Sequence, residues 1–217
     1  MSEIEVLVAE KELRLRADGT LFDPATETLH VADLHLGKDT SFRAAGLPVP
    51  QGMTTSILET LSTSIRLLQP KRLLILGDLI HNRASMSDEL RNTFSNWREL
   101  HPRTKMILVE GNHDRHIAQF PADWGLQVES KLSEESITYV HETTESPAEL
   151  FQMGGHLHPV VRLSGGVDSL KLRCFLLEEH RLVLPAFGIF KGGCQIRSGV
   201  GKSLFPFSDK QIWKYEA

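Results

Sequence analysis

Five short polar clusters in the sequence combine residue types that bind transition metals. Carboxylates, neutral imidazoles and an amide oxygen are ligands that suit manganese, iron, zinc or cobalt. Two such ions need roughly seven or eight ligands when three or four side chains hold each one. The clusters supply that number if one carboxylate bridges both ions, and the candidate ligands are Asp33, His35, Asp78, Asn112, His141, His156 and His158.

One histidine beside these ligands is not needed to hold a metal. His113 follows Asn112 directly, and a protonatable group next to such a site suits general-acid catalysis. We therefore expect His113 to protonate the leaving oxygen of a substrate. His81, which lies shortly after Asp78, is expected to orient His113 or to share its proton. The alternative for His81 is a surface position in a loop.

The polar clusters follow short apolar runs, which indicates strands that end at the site. Helical spacing of apolar residues over Thr54–Leu68 and Ser87–Leu100 separates the first runs. Alternating strands and helices predict a mostly parallel inner sheet, with ligands beyond the carboxyl ends of its strands. The strands are predicted over Leu29–Leu36, Arg72–Leu76, Met106–Val109, Ile137–Val140 and Phe151–Met153.

Two pairs of candidate ligands are each separated by a single residue. Side chains at alternate positions of an extended strand point to the same side. Asp33 with His35, and His156 with His158, are therefore each predicted to form a clamp on the end of a strand.

Strands also dominate the second half of the sequence. Leu170–Leu177 and Leu182–Leu184 are predicted to form a hairpin that turns near Glu178–Arg181. No change in composition marks a linker, so we expect a single domain over residues 1–217. Its expected architecture is two packed sheets with helices outside them.

Composition excludes several classes of protein. The 217 residues are 41% hydrophobic, enough for an ordinary core, and the net charge of −4 disfavours a broadly basic nucleic-acid binder. Two cysteines are too few for a disulfide framework, and neither a secretory signal nor an apolar run of membrane-spanning length is present. We therefore expect a cytoplasmic protein that needs local cations to hold phosphate. Arg43 and Arg83 are the predicted substrate contacts, with solvated surface as the alternative.

The order Asp-x-His, Gly-Asp, Gly-Asn-His-Asp, His, Gly-His-x-His resembles that of the calcineurin-like metallophosphoesterases. The resemblance implies an α/β fold, a four-layer α/β/β/α sandwich of two mixed sheets flanked by helices. It implies a first metal held by Asp33, His35, Asp78 and His158, and a second held by Asp78, Asn112, His141 and His156. A hydroxide between the two ions would then attack phosphorus, and manganese is the expected metal.

A narrower resemblance runs through nearly the whole chain. Ala32–Gly37, Phe42-Arg43, Gly46–Pro50, Leu184–Gly188 and Gly192-Gly193 are similar to segments of the bacterial ligase-associated metallophosphoesterases. Members of that family tend to be encoded beside a DNA ligase and a helicase, which implies these partners and a role in DNA repair. His81 stands where the protein Ser/Thr phosphatases have aspartate, and this form resembles DNA-repair nucleases of the superfamily.

These observations predict a metal-dependent phosphodiesterase or nuclease that acts on nucleic acid or nucleotides. A phosphomonoesterase or pyrophosphatase for small nucleotides is the alternative. A catalytically silent scaffold of the same fold is disfavoured, because such proteins usually lose several metal ligands and this sequence contains every expected type.

Overall fold

Two mixed β-sheets form the centre of the computed structural model, which describes residues 1–146, 148–165, 168–188, 192–208 and 210–215. The first sheet has its strands in chain order, antiparallel from β1 to β4 and parallel from β4 to β7. Its strands are β1 (Glu3–Val8), β2 (Lys11–Arg16), β3 (Leu21–Asp23), β4 (Thr28–Val31), β5 (Arg72–Leu76), β6 (Lys105–Val109) and β7 (Leu126–Glu129).

The second sheet is built from the later part of the chain, in the order β15-β14-β12-β13-β10-β9-β8, and β11 pairs with β12 alone. The predicted hairpin is confirmed, because β12 and β13 are antiparallel with Leu176 opposite Val183. The strands are β8 (Leu132–Glu134), β9 (Ile137–Tyr139), β10 (Phe151–Gly154), β11 (Val160–Gly165), β12 (Asp168–Leu177), β13 (Arg181–Val183), β14 (Ser203–Ser208) and β15 (Gln211–Ile212).

The α-helices of the described residues are α1 (Lys38–Ala44), α2 (Met53–Leu68) and α3 (Asp88–Glu99). The predicted helices α2 and α3 are confirmed to within one residue at each end. The Ser87 side chain caps α3 by accepting a hydrogen bond from the Leu90 N–H at 3.2 Å. Apolar residues of α2 and α3 pack on the outer face of the first sheet.

A separate core fills the space between the two sheets. Leu74 and Ile107 of the first sheet belong to the same buried cluster as Met153, Phe175 and Phe205 of the second. Strands β5 and β6 are buried on both faces, which explains their unbroken apolar sequence. The α/β class and the two packed mixed sheets are therefore confirmed.

The outer face of the second sheet differs in one respect from the expected helical layer. Among the described residues, no α-helix follows Glu99. Leu172, Leu176 and Leu204 on this face are instead packed against Trp213 and Tyr215 of the C-terminal segment. Strand β12 extends beyond its pairing with β13 and β14 and pairs there with β11. The β11–β12 hairpin and the C-terminal segment therefore cover this face, where helices were expected.

The strand predicted over Leu29–Leu36 is too long, since β4 ends at Val31. Asp33 (φ 54°) and His35 (φ 47°) both adopt the left-handed backbone region, which an extended strand cannot contain. His156 (φ 65°) and His158 (φ 48°) do the same beyond β10. The strand clamps are therefore wrong in their backbone geometry.

None of the helices in the described ranges is long and apolar enough to cross a membrane.

Candidate metal centre

The loops that leave the carboxyl ends of β4 and β5 run side by side at the candidate site. The N–H of Asp33 donates to Gly77 O at 3.1 Å, and the N–H of His35 donates to Asp78 O at 2.8 Å. Asp78 also has a left-handed backbone, with φ 51°. Such conformations cost free energy in non-glycine residues and tend to cluster at functional sites. Paired loops, rather than strands, therefore aim these ligands at one place.

Asp33, His35 and His158 form the first ligand group. The Nε2 atoms of the two histidines lie 3.3 Å apart, and His158 Nε2 is 3.1 Å from Asp33 Oδ1. Asp78 Oδ2 lies 3.7 Å from His35 Nε2. The group therefore offers two imidazole nitrogens and one or two carboxylate oxygens to a common point.

Asp78, His141 and His156 form the second ligand group. His141 Nε2 lies 3.5 Å from Asp78 Oδ1, 3.1 Å from His156 Nδ1 and 3.0 Å from Asn112 Oδ1. Asp78 thus presents Oδ2 to the first group and Oδ1 to the second. All seven predicted ligands are brought together, in the two sets that the family resemblance implies.

The spacing of these atoms fits two bound ions. Ligands bonded at about 2.1 Å and at right angles lie about 3 Å apart, close to the observed separations of 3.0 to 3.3 Å. Asp33 Oδ1 is buried and forms no hydrogen bond with the described residues, although His158 Nε2 lies close to it. A buried carboxylate oxygen left in this way is costly, and a cation beside it removes that cost.

Contacts behind the ligands fix their orientation. His141 Nδ1 lies 3.0 Å from Leu76 O, so Nδ1–H donates to that carbonyl and Nε2 is left for a metal. Gly77 (φ 83°) lies so close that an added Cβ would be 2.0 Å from His141 Nδ1. A Cβ on Gly111 would be 2.2 Å from Asp78 Oδ1. The glycines of the motifs therefore let the backbone approach the ligands.

His113 is positioned by the backbone of His81. Its Nδ1 is hydrogen-bonded to His81 O, and its Nε2 lies 3.8 Å from Asp78 Oδ2. The His81 ring stacks beside the His113 ring, with centroids 5.4 Å apart. Burial, helped by the charges of Lys38 and His113, lowers the pKa of His81 to about 4. His81 therefore holds His113 through its carbonyl oxygen and has a neutral ring near pH 7.

Asp114 is a positioning residue that the sequence analysis did not assign. Its fully buried carboxylate accepts hydrogen bonds from the N–H groups of Leu79 (3.3 Å), Ile80 (3.2 Å) and Gly111 (3.0 Å). These donors lie in the loops that carry Asp78 and Asn112. The place of Asp114 in the Gly-Asn-His-Asp motif could have marked it as a site residue. Its role is visible only in the fold, where three backbone N–H groups point at its carboxylate.

Arg173 is a second positioning residue that the sequence did not reveal. Its Nη1 donates to the carbonyl oxygens of Ala186 (2.9 Å), Phe187 (3.1 Å) and Gly188 (3.3 Å). That segment in turn donates from the Phe187 and Gly188 N–H groups to the carbonyl oxygens of Ala32 and Asp33. The Leu184–Gly188 motif therefore supports the first ligand loop.

The two arginines predicted to contact substrate lie outside the ligand groups. Arg43 donates to Asp39 Oδ2 at 3.1 Å, Thr40 Oγ1 at 3.2 Å and Pro50 O at 3.2 Å. Arg83 is exposed at the start of a short 3₁₀ turn that ends at Ser85. Their contact with substrate stays a prediction.

The comparison with family models identifies the chain's relatives. The calcineurin-like phosphoesterase model matches residues 26–182, which include every predicted ligand. The chain belongs to this family. It is accordingly a metal-dependent phosphoesterase, a hydrolase whose Asp and His clusters are candidate sites for divalent metal ions.

Solved structures give one strong likeness. The chain is similar to the crystal structure of Pseudomonas putida nuclease MPE, with a TM-score of 0.85 and 29% identity over 99% of this chain and 100% of that one. It is also similar to Yfce, a phosphoesterase from E. coli, with a TM-score of 0.41 and 14% identity over 84% of this chain and 88% of that one. No curated protein sequence matches the chain significantly.

Proposed function

We propose that this protein is a two-metal phosphodiesterase that cleaves nucleic acid. The observation that carries the proposal is the position of Asp78, whose two carboxylate oxygens face different ligand groups. The chain is similar over its full length to Pseudomonas putida nuclease MPE, which favours a phosphodiester substrate over a small phosphomonoester. We further propose manganese as the metal, with iron, zinc and cobalt as the alternatives that the mixed nitrogen and oxygen ligands also suit.

When bound, the two ions would activate a water molecule and neutralise charge on the phosphate. The chain's own residues provide the rest of the chemistry. Asp33 and Asp78 would offset part of the positive charge, and Asn112 would add an oxygen ligand without adding negative charge. The hydrogen bonds between the ligand loops hold these side chains in place, so a phosphate bound among them would have a fixed position relative to His113.

His113 is the proposed general acid. The carbonyl oxygen of His81 accepts from His113 Nδ1–H and fixes the orientation of the ring. The other ring nitrogen, Nε2, then faces the site near Asp78 and is the atom that carries the transferred proton. Nε2–H can donate to the departing alkoxide oxygen, which is a poor leaving group without a proton. A diester of nucleic acid has a leaving group of this kind.

The test compares four substrates with the manganese-loaded protein: single-stranded DNA, bis-p-nitrophenyl phosphate, p-nitrophenyl phosphate and a nucleoside diphosphate. We expect cleavage of DNA and of the diester, with little turnover of the other two. Asp78→Asn should abolish activity, whereas the matched variant Asp123→Asn, at an exposed position, should retain it. Turnover confined to p-nitrophenyl phosphate or the diphosphate would favour a phosphomonoesterase or pyrophosphatase. No turnover of any substrate would favour a silent scaffold.

The DNA-repair setting is a separate proposal. It is supported by the similarity of Ala32–Gly37 and Leu184–Gly188 to the ligase-associated family. A DNA ligase and a helicase are the proposed partners in that setting. Joint assays should show that this protein converts a blocked or unpaired DNA end into one that the ligase can seal. Sealing that is unchanged by its addition would contradict the proposal.

A further inference from the structure

Lys38 is a cation beside the metal ligands that the sequence analysis did not assign. It is the first residue of α1 and directly follows the loop that carries Asp33 and His35. Burial lowers the pKa of its half-buried ammonium, and the carboxylates of Asp33 and Asp78 oppose that change. The ammonium is therefore within electrostatic reach of both ligand groups. In a chain of net charge −4, such a local cation is valuable for holding phosphate.

Phe42 lies one helical turn beyond Lys38 and shares its face of α1. The Lys38 Nζ atom is 5.7 Å from the centroid of the Phe42 ring. The same ring meets the His81 ring edge to face, with centroids 5.9 Å apart. Because His81 O holds His113, these contacts place an aromatic side chain and an ammonium next to the proposed general acid.

The loop after α1 is anchored to that helix at both of its ends. Leu47 in this loop is 52% exposed, and its N–H donates to Phe42 O at 2.9 Å. Arg43 ties the far end of the loop to the helix through Pro50 O and Asp39. Pro48 and Pro50 restrict the backbone further. Phe42 itself is half-buried, and an aromatic ring held in place in this way binds a flat ligand with little loss of entropy.

We propose that Lys38 and Phe42 form a subsite for the nucleotide that flanks the scissile phosphate. Lys38 contacts an oxygen of the neighbouring phosphate, and Phe42 contacts the face of the base. Stacking on an aromatic ring accepts any base, so this subsite favours unpaired nucleic acid without strong sequence preference. The inference rests on the proposed function and names its substrate class.

The test separates the flanking nucleotide from the reaction itself. Bis-p-nitrophenyl phosphate has neither a neighbouring phosphate nor a base, whereas a single-stranded oligonucleotide has both. We expect Lys38→Met to lower kcat/KM on the oligonucleotide at least about tenfold. The slope of log kcat/KM against log salt concentration should become shallower by about one. Turnover of bis-p-nitrophenyl phosphate at saturating manganese should fall clearly less, since this substrate has no neighbouring phosphate for Lys38 to contact. Lys38→Arg should restore most of the loss.

Phe42→Ala should lower kcat/KM on the oligonucleotide by about 5- to 150-fold, the range for loss of one stacked base. An oligonucleotide with an abasic site beside the cleaved bond should respond much less to this substitution. Lys71→Met, at an exposed position at the opposite end of β5, is the matched control and should leave both substrates unaffected.

Two results would overturn different parts of this reasoning. If the wild-type protein cleaves neither substrate, the proposed function fails. If it cleaves both but Lys38→Met slows them equally, Lys38 only balances the charge of the metal ligands and the subsite is refuted. Equal losses for Phe42→Ala on normal and abasic oligonucleotides would likewise show that the ring supports the fold and does not bind a base.

Discussion

Replacing Asp114 by Asn changes the charge of the carboxylate that joins two ligand loops while almost preserving its shape. Burial raises the pKa of Asp114 to about 6, so the group is ionised at pH 7.5 and its three accepted hydrogen bonds are charge-assisted. An amide has one oxygen and one NH₂ group. Whichever way it is oriented, at least one backbone N–H faces a donor instead of an acceptor.

The expected effect follows from those contacts. Loss of one hydrogen bond to a charged, buried partner costs about 1.5–3 kcal/mol. We therefore expect Asp114→Asn to lower the free energy of unfolding by up to that amount, measured with urea at pH 7.5 on metal-free protein, because the neutral amide avoids the desolvation cost that raises the pKa of the carboxyl. Because the affected N–H groups lie beside Asp78 and Asn112, manganese affinity should fall about 10- to 100-fold, as for other contacts behind metal ligands.

Asp123→Asn is the control for this experiment. Its carboxylate is exposed and is hydrogen-bonded to Ser95, so the free energy of unfolding should change by less than about 0.5 kcal/mol. Asp114→Asn would refute the reasoning if its stability and manganese affinity matched those of the control. A loss of stability with unchanged manganese affinity would show that Asp114 supports the loops without positioning the ligands.

Three further predictions follow from the same structure. His113→Ala should keep both metals but slow alkyl diesters about 10²–10⁴-fold and p-nitrophenyl diesters less; equal losses in kinetic assays would contradict a general-acid role. Gly111→Ala places a Cβ 2.2 Å from Asp78 Oδ1, so metal analysis should show a deficit that Gly199→Ala, in open space, does not share. Burial lowers the pKa of His30 from 6.5 to about 4, so the unfolded chain takes up its proton first on acidification. Between those pH values His30 should cost up to about 3 kcal/mol of stability, and denaturant curves of His30→Leu should show a shallower pH dependence.

The sequence predicted the parts of the fold that depend on local patterns. Apolar residues at helical spacing located α2 and α3, and unbroken apolar runs located β5 and β6. Both signals come from burial of one helical face or of two strand faces, and both can be read within one segment. The cover on the second sheet could not be read in this way, because Trp213 and Tyr215 pack against strands distant in sequence.

The candidate site was predicted by residue type, but its geometry was not. The structure brings Asp33 and His35 into one ligand group, as their alternate spacing predicted. The strand that was expected to place them there was wrong, because both residues have left-handed backbones. Residue type and spacing cannot show which backbone conformation a loop adopts. Asp114 and Arg173 were missed for a related reason. Their partners are mainly backbone groups distant in sequence, and residue type alone does not show which distant backbone groups a side chain meets.

The central claim is that Asp78 bridges two metal ions. Anomalous diffraction at the manganese absorption edge, from crystals of the manganese-loaded protein, tests it directly. We expect two peaks about 3.5–4 Å apart, the usual separation in two-metal sites. One should lie among Asp33, His35 and His158, and the other among Asn112, His141 and His156, with Asp78 between them. A single peak, or a peak at the remaining cluster of His35, His81 and His113, would contradict the claim.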